Sequence, residues 1–382
     1  MRILYCIPML YNSGGMERVL TQKVNWLVAH TAHEITILTT ECVPKGQEEV
    51  YFPLDERVKV VSLHIDFNAD YTKSLPLKLV GHMRRMRAYE CALKEFVRQN
   101  RIDLCISLCG KEIAFLHTLP CRTIAELHFA KEHRHQLLKA NHGGLFWTLL
   151  GRMRTQQLVH AVRPLEQLVV LTEEDKTEWQ QVGCSNVICI PNPCALDGQK
   201  MPIPSHKSKT ILAVGRLHEQ KGFDLLLQAW KRIEEHNQEW VLRVVGEGSQ
   251  RSTLEKKINE LELKHVVLAG QAEDVAKEYL SASCFVLSSR YEGLPLALIE
   301  AMWCGLPCVA FDCPHGPKEL LADNRGWLVP NGDIKALSEQ IEYVLSHERE
   351  ATERAMHAQT YARATYSEKS IMPQWVKLIE KK

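Results

Sequence analysis

The sequence predicts an α/β protein of two doubly wound, Rossmann-like domains facing a cleft. Three observations carry that prediction. Short apolar runs alternate with longer amphipathic ones along most of the chain, the pattern of a parallel sheet covered by helices on both faces. A stretch from Ile190 to Ser205, with four prolines and a glycine, interrupts the pattern near the middle. Glycine turns stand where strands give way to helices in both halves. A length of 382 residues also favours two domains of ordinary size over one.

Strands of the first half are expected at Arg2–Met9, Glu34–Thr39, Val58–Leu63, Leu104–Ser107, Thr123–Leu127, Leu168–Leu171 and Val187–Ile190. Its helices are expected at Met16–His30, Leu77–Gln99, Leu145–Val162 and Glu173–Val182. After the linker, strands are expected at Thr210–Val214, Val241–Val245, Val266–Ala269, Cys284–Leu287, Cys308–Ala310 and Trp327–Val329. The helices between and after them are Phe223–Glu235, Gln250–Leu261, Val275–Ser281, Pro295–Cys304, Ile334–Leu345 and Arg349–Tyr366. A last stretch, Ser370–Ile379, puts Trp375, Val376 and Ile379 on one helical face, and a helix that short needs a host to pack against. Domains are therefore drawn at 1–193 and 194–367, with a C-terminal helix, 368–382, packing back on the first. No internal sequence repeat is visible.

Composition narrows the class. The opening MRILYCIPMLYNS has an apolar run broken by Pro8, too short to span a membrane and without a signal-peptide cleavage pattern, so it reads as a buried first strand. Thirteen cysteines stand singly in apolar contexts, which fits a reduced cytosolic protein rather than a disulfide framework. The pairs Cys105/Cys109 and Cys304/Cys308 lack the second half of a zinc site. The net charge of +1 conceals an asymmetry: Lys73–Arg163 holds 16 Lys and Arg against 6 Asp and Glu, while the remainder holds 31 against 40. An anionic partner for the first half is implied, a membrane surface or a phosphorylated acceptor. No nucleic-acid-binding motif is present.

The stretch Cys284–Ala310, CFVLSSRYEGLPLALIEAMWCGLPCVA, organises the second half. It reads as a strand, a tight loop, a helix opened by Pro295 at its first position and stopped by Gly305, and another strand. Two carboxylates mark it, Glu292 in the loop and Glu300 inside the helix. Glu300 lies about 7.5 Å along the axis from the helix start, too far to serve as a cap. Free amides and the helix dipole make the loop a ready anion site, so a phosphate is expected near Gly293 and Leu294 with the two glutamates reaching hydroxyls on either side. Sugar hydroxyls, a diphosphate and ribose hydroxyls have that layout.

Three other places in the same half agree with it. Gly215 ends a strand and is followed by Arg216 and Lys221 in the loop before a helix, two cations suited to a diphosphate. Gly246 and Gly248, in Val245–Ser249, form a second strand-to-helix turn open to a base or ribose. Gly270-Gln271-Ala272 follows a further strand and could present backbone groups to a nucleobase edge, which puts Gln271 among the expected donor-binding residues. In the first half, Gly14 and Gly15 open a helix directly after the first strand, although the spacing of a dinucleotide fingerprint is absent.

Taken in order, Gly14-Gly15-Met16-Glu17-Arg18, Val214-Gly-Arg-Leu with Lys221-Gly222, Gly246-Glu-Gly248, and Glu292 to Glu300 enclosing Gly-Leu-Pro resemble the motifs of family-4 retaining glycosyltransferases of the GT-B architecture. The resemblance covers nearly the whole chain. It implies that Arg216 and Lys221 bind the donor diphosphate, that Glu300 holds the ribose hydroxyls, and that Glu292 binds sugar hydroxyls beside the amides of Gly293 and Leu294. His128 resembles the histidine that contacts the donor sugar from the first domain; His133 and His135 lie near it in sequence. The segment Phe311–Glu319 is similar to the version in transferases that build bacterial surface polysaccharides and glycan precursors from uridine diphosphate sugars, except that His315 stands where threonine or serine is expected.

The implied activity is transfer of a hexose or N-acetylhexosamine, with retention, from a nucleotide diphosphate sugar to a saccharide acceptor, a lipid-linked glycan. With no Asp-x-Asp in the chain, no cofactor and no divalent metal are expected, and the two cations take the metal's place. Leu77–Arg87 and Leu145–Arg154 mix cations with apolar and aromatic residues, which suits peripheral contact with the anionic inner face of the cell membrane. The alternative from another class is a sugar-nucleotide epimerase of the same architecture, which needs no acceptor. A binding module without turnover would be expected to have lost one of Arg216, Lys221, Glu292 and Glu300, and a nicotinamide dehydrogenase is disfavoured by the incomplete glycine fingerprint.

Overall fold

Apolar runs rich in Val, Ile and Leu make strands that are stable only when both faces are covered, and such strands pair in parallel with helices between them. The computed structural model of the protein describes residues 1–67, 75–129, 131, 145–198 and 208–381. These form two compact units, Met1–Pro191 with Met372–Lys382, and Asn192–Ile371.

In the first unit the order is β1 (Arg2–Cys6), α1 (Gly15–His30), β2 (Glu34–Thr39), β3 (Lys59–Ser62), α2 (Leu75–Gln99), β4 (Leu104–Ser107), β5 (Arg122–Glu126), α3 (Leu145–Val162), β6 (Gln167–Val170), α4 (Glu173–Gln181) and β7 (Val187–Cys189). The strands make one parallel sheet in the order β3-β2-β1-β4-β5-β6-β7. The second unit runs β8 (Thr210–Val214), α5 (Phe223–Glu234), β9 (Val241–Val245), α6 (Arg251–Glu260), β10 (Val266–Gly270), α7 (Val275–Ser281), β11 (Cys284–Leu287), α8 (Leu296–Trp303), β12 (Cys308–Asp312), α9 (Pro317–Leu321), β13 (Trp327–Pro330), α10 (Ile334–Ser346) and α11 (Glu348–Thr365). Its parallel sheet has the order β10-β9-β8-β11-β12-β13. The final helix, α12 (Glu368–Ile379), crosses the boundary and ends in the first unit. The two sheets repeat one topology although the sequence shows no repeat, because the constraint is burial and not residue identity.

Each sheet has its own core. Leu4, Leu93, Cys105, Leu168 and Trp179 fill the first, and Ile211, Leu226, Trp230, Val286 and Phe311 the second. Each such side chain contributes about 1.5–3 kcal/mol on burial. Strand order reverses between β1 and β4 in the first sheet and between β8 and β11 in the second. At such a reversal the loops leaving the C-terminal strand ends diverge and open a crevice for ligand.

Several expectations are corrected. Strand β1 ends at Cys6 rather than Met9, since Pro8 has no N–H for the ladder. Helix α8 begins at Leu296, and Pro295 is the residue before it, with ψ 91, not its first turn. The short 3-10 turns Lys111–Ala114, Leu116–Thr118 and Glu219–Lys221, and the one-turn helix α9, were not expected, because elements this short carry no periodicity. Part of the linker, and His133 and His135, lie outside the described residues. All thirteen cysteines are free.

Candidate active site

The β8–β11 reversal gathers most of the expected site residues. Beyond β8, the Gly215 amide donates to Val245 O at 2.9 Å and the Leu217 amide to Glu247 O at 2.9 Å, which ties the first loop to the turn after β9. That close approach is why glycine is needed there: a Cβ on Gly246 would lie 2.0 Å from Gly215 O, and one on Gly248 would lie 2.4 Å from Leu217 O. Arg216, at the loop's crest, is exposed, and among the described residues its guanidinium makes no hydrogen bond or ion pair. Its charge is felt by His218, whose imidazole is held below its ordinary value by burial, by Arg216 and by Lys221.

Lys221 closes the 3-10 turn and runs alongside Gly215. Its Nζ donates to Glu292 Oε1 at 2.7 Å, and Ser289 Oγ donates to the same oxygen at 2.6 Å. Glu292 is 5 % exposed, so the lysine supplies the cation that a buried carboxylate requires. The other oxygen, Oε2, accepts no hydrogen bond among the described residues. Two loops are joined around this pair: Arg290 holds Asp224 through two bonds of 2.8 Å, and Gln220 Nε2 donates to Tyr291 O at 3.0 Å. The amides of Gly293 and Leu294, just before α8, donate to no acceptor among the described residues. One exposed cation, one anchored carboxylate with a spare oxygen and two unspent amides therefore stand on adjacent strand ends.

Glu300 lies within α8, 5 % exposed, with Oε2 accepting from Tyr279 Oη at 2.9 Å. Gly270 has φ +77 and its carbonyl accepts from the Gly246 amide at 2.7 Å; Gln271 after it is exposed. His315 is buried with φ 63, and the Pro314 carbonyl before it accepts from the Glu292 amide at 3.1 Å.

The remaining expected residues belong to the first unit. Gly14 is the N-cap of α1, and its carbonyl accepts from the Arg18 amide at 3.1 Å. Gly15 is exposed at the first helical position, and the Glu17 carboxylate lies over Gly14. His128 follows β5, and its Nε2 lies 3.1 Å from Glu126 Oε1. That oxygen accepts a hydrogen bond from Lys23 Nζ of α1, and the ammonium sits 3.7 Å from the centre of the Trp375 ring on α12. Burial pushes the Glu126 carboxyl up, but the Lys23 and His128 charges outweigh it and hold the group at about 2. Sequence reasoning did not single out Lys23 or Glu126, which the first unit buries together. A signal was present, for Lys23 interrupts the apolar stripe Val19, Leu20, Val24 and Leu27 of α1 and is buried with it.

A family model described as glycosyl transferases group 1 matches residues 199–365, most of the second unit. Over 357 residues the chain is 31 % identical to the amylovoran biosynthesis glycosyltransferase AmsD of Erwinia amylovora, covering 91 % of each. The chain belongs to the group 1 glycosyltransferases. This glycosyltransferase is also 28 % identical to the GalNAc-alpha-(1->4)-GalNAc-alpha-(1->3)-diNAcBac-PP-undecaprenol alpha-1,4-N-acetyl-D-galactosaminyltransferase of Campylobacter jejuni, across 99 % of this chain and 98 % of that protein. Its fold matches a TarM variant of S. aureus, solved with fondaparinux, alpha-GlcNAc-glycerol and UDP, with a TM-score of 0.80 at 16 % identity and full coverage of both chains. The architecture is GT-B.

On the same glycosyltransferase, α2 has two different halves. Tyr89, Leu93 and Val97 are core, whereas Leu77, Leu79, Val80 and Met83 are more than half exposed beside Lys78, Arg84 and Arg87. Leu149 and Met153 of α3 are likewise exposed next to Arg152 and Arg154. No helix among the described residues is long and apolar enough to cross a membrane.

Proposed function

We propose that this glycosyltransferase moves a hexose or N-acetylhexosamine from a UDP-sugar to a lipid-linked saccharide, with retention of configuration, during assembly of a surface polysaccharide. The observation that carries the reading is that the Arg216 guanidinium and the Gly293 and Leu294 amides, all without partners among the described residues, follow the adjacent strands of the β8–β11 reversal. A diphosphate supplies the anion all three lack. Glu300 would take the ribose hydroxyls, Glu292 Oε2 a sugar hydroxyl, and Gln271 with the Gly246–Gly248 turn the base. As the anomeric bond breaks, negative charge grows on the leaving phosphate, and Arg216, Lys221 and the α8 amides stabilise it. The acceptor hydroxyl adds on the face the phosphate leaves, and the phosphate takes its proton. Two cations in the role of a metal make the reaction independent of divalent ions.

The acceptor is assigned to the first unit. The UDP in the TarM structure and the undecaprenol-linked chain named for the C. jejuni relative support the donor and acceptor classes. The exposed apolar and basic face of α2 and α3 supports peripheral contact with an anionic bilayer from the cytoplasmic side.

The test is incubation with UDP-sugars and a lipid-linked acceptor in the presence of EDTA, followed by NMR of the product. A new glycoside with the donor's anomeric configuration is expected. Conversion of the donor to an epimeric UDP-sugar with no glycoside would favour the epimerase reading, inversion would overturn the retaining mechanism, and loss of transfer with chelator would overturn metal independence.

A further inference from the structure

Glu300 is the one charged residue of α8, whose sequence, Leu-Ala-Leu-Ile-Glu-Ala-Met-Trp, is otherwise apolar. Its neighbours Leu298, Ile299, Ala301 and Met302 are fully buried. A carboxylate in such surroundings needs donors aimed at it. Another helix of the same unit supplies one: Tyr279 of α7 donates from Oη to Glu300 Oε2 at 2.9 Å. Tyr279 is itself fully buried, and its ring centre lies 5.9 Å from that of Phe285 on β11, which is buried as well. Phenylalanine would fill the same space with no polar atom to satisfy, so packing alone does not account for the hydroxyl.

The consequence is a carboxylate with a fixed plane. The last torsion of a glutamate side chain is broad and roughly two-fold, so the carboxylate turns easily unless something holds an oxygen. A ring packed into the core holds its hydroxyl in one place, and here that hydroxyl faces Oε2. A carboxylate offers about four acceptor directions, and the phenol uses one of them. Hydroxyls that meet a carboxylate already oriented bear less of the cost of ordering it. We propose that Tyr279 is a positioning residue for nucleotide binding: it sets the plane of the Glu300 carboxylate, and the site thereby selects a ribose with its hydroxyls over a deoxyribose. Tyr279 acts through Glu300 and not on the ligand. This rests on the reading of Glu300 as the acceptor of the ribose hydroxyls.

The experiment measures binding of UDP and of dideoxy-UDP, which lacks both ribose hydroxyls, by calorimetry. The proteins compared are the unaltered chain, Tyr279→Phe, Glu300→Gln and the double variant. The unaltered protein should prefer UDP by about tenfold or more, since bonds to a charged acceptor are lost with the hydroxyls. Tyr279→Phe should cut that preference by about threefold or more, while its affinity for dideoxy-UDP stays within about twofold of the parent's. On the Glu300→Gln background the same substitution should leave the preference within about 1.5-fold, because its effect runs through the carboxylate. In turnover with a UDP-sugar, Tyr279→Phe should raise KM and leave kcat within about twofold, as a group remote from the breaking bond does. A purely structural role predicts that Tyr279→Phe weakens both ligands by one factor with the preference intact, and that result overturns the proposal. Should Tyr279→Phe not fold, a crystal structure of the unaltered protein with UDP decides: Glu300 bonded to the ribose with Tyr279 Oη still on Oε2 is expected, and a carboxylate turned away from the phenol overturns it. An unaltered protein that binds both ligands equally would instead sink the ribose reading of Glu300, and one that binds neither would sink the donor site itself, each taking the proposal with it.

Discussion

Lys221 Nζ reaches Glu292 Oε1 at 2.7 Å, and this pair divides the labour between the two cations of the second unit. Lys221 is committed to a buried carboxylate, while Arg216 on the same loop has no counter-charge among the described residues. Substituting the two residues should therefore give different phenotypes.

Arg216→Ala removes an exposed side chain that makes no hydrogen bond or ion pair among the described residues, so stability in urea should change by less than about 0.5 kcal/mol. Turnover should fall by at least tenfold, about 1.4 kcal/mol, because charge stabilisation grows in the transition state. Paired steady-state kinetics and urea melts decide this; a smaller loss of kcat argues against a diphosphate role.

Lys221→Met leaves Glu292 buried without its cation and should cost about 1–3 kcal/mol in stability as well as activity. Glu292→Gln keeps the shape and a donor–acceptor group, so its loss should lie mainly in kcat. If both variants melted like the parent, the pair would be no more than a surface contact.

Gly246→Ala tests the close approach of the two strand-end loops. Its φ of +143 and the 2.0 Å separation from Gly215 O both exclude a side chain. Destabilisation of about 3 kcal/mol or more is expected from strain plus the clash, with loss of nucleotide binding. Gly332→Ala, also at positive φ but with nothing within 4 Å, is the comparison and should cost only about 1 kcal/mol.

The carboxyl of Glu126 sits at about 2 in the folded protein, held there against burial by Lys23 and His128. Its unfolded value is near 4.3, so its pairing stabilises the fold above that pH by roughly 3 kcal/mol, and the contribution disappears as pH falls towards 2. Urea titrations of the parent and Glu126→Gln should show a stability gap at pH 6 that closes below pH 3. A gap that did not depend on pH would contradict the buried ion pair.

Much of this was legible in the sequence because the strands are apolar and separated by turn residues at regular intervals. Gly215, Gly246 and Gly248 mark the site for a local reason, since backbone must pass backbone there. Glu292 and Glu300 were legible as carboxylates without a capping role. What the chain order hid is pairing across distance: Lys221 with Glu292 lies 71 residues apart, and Lys23 with Glu126 lies 103 apart. Lys221 reads from the sequence as a diphosphate cation and Lys23 as an interruption of an apolar stripe; only burial reveals each as the partner of a carboxylate. The offset of Pro295 by one position has a similar cause, because helix starts are fixed by hydrogen bonds that residue type only biases.

The most direct test of the central claim is protection against thermal unfolding by a panel of nucleotides and sugar nucleotides, run on the parent and on Arg216→Ala. A ligand that binds only the folded state raises the midpoint. The account predicts that UDP and UDP-sugars raise the parent's midpoint and raise that of Arg216→Ala much less, with adenine and guanine analogues weaker. Equal protection of both proteins, or protection by none of the panel, would contradict a nucleotide diphosphate site at the β8–β11 reversal.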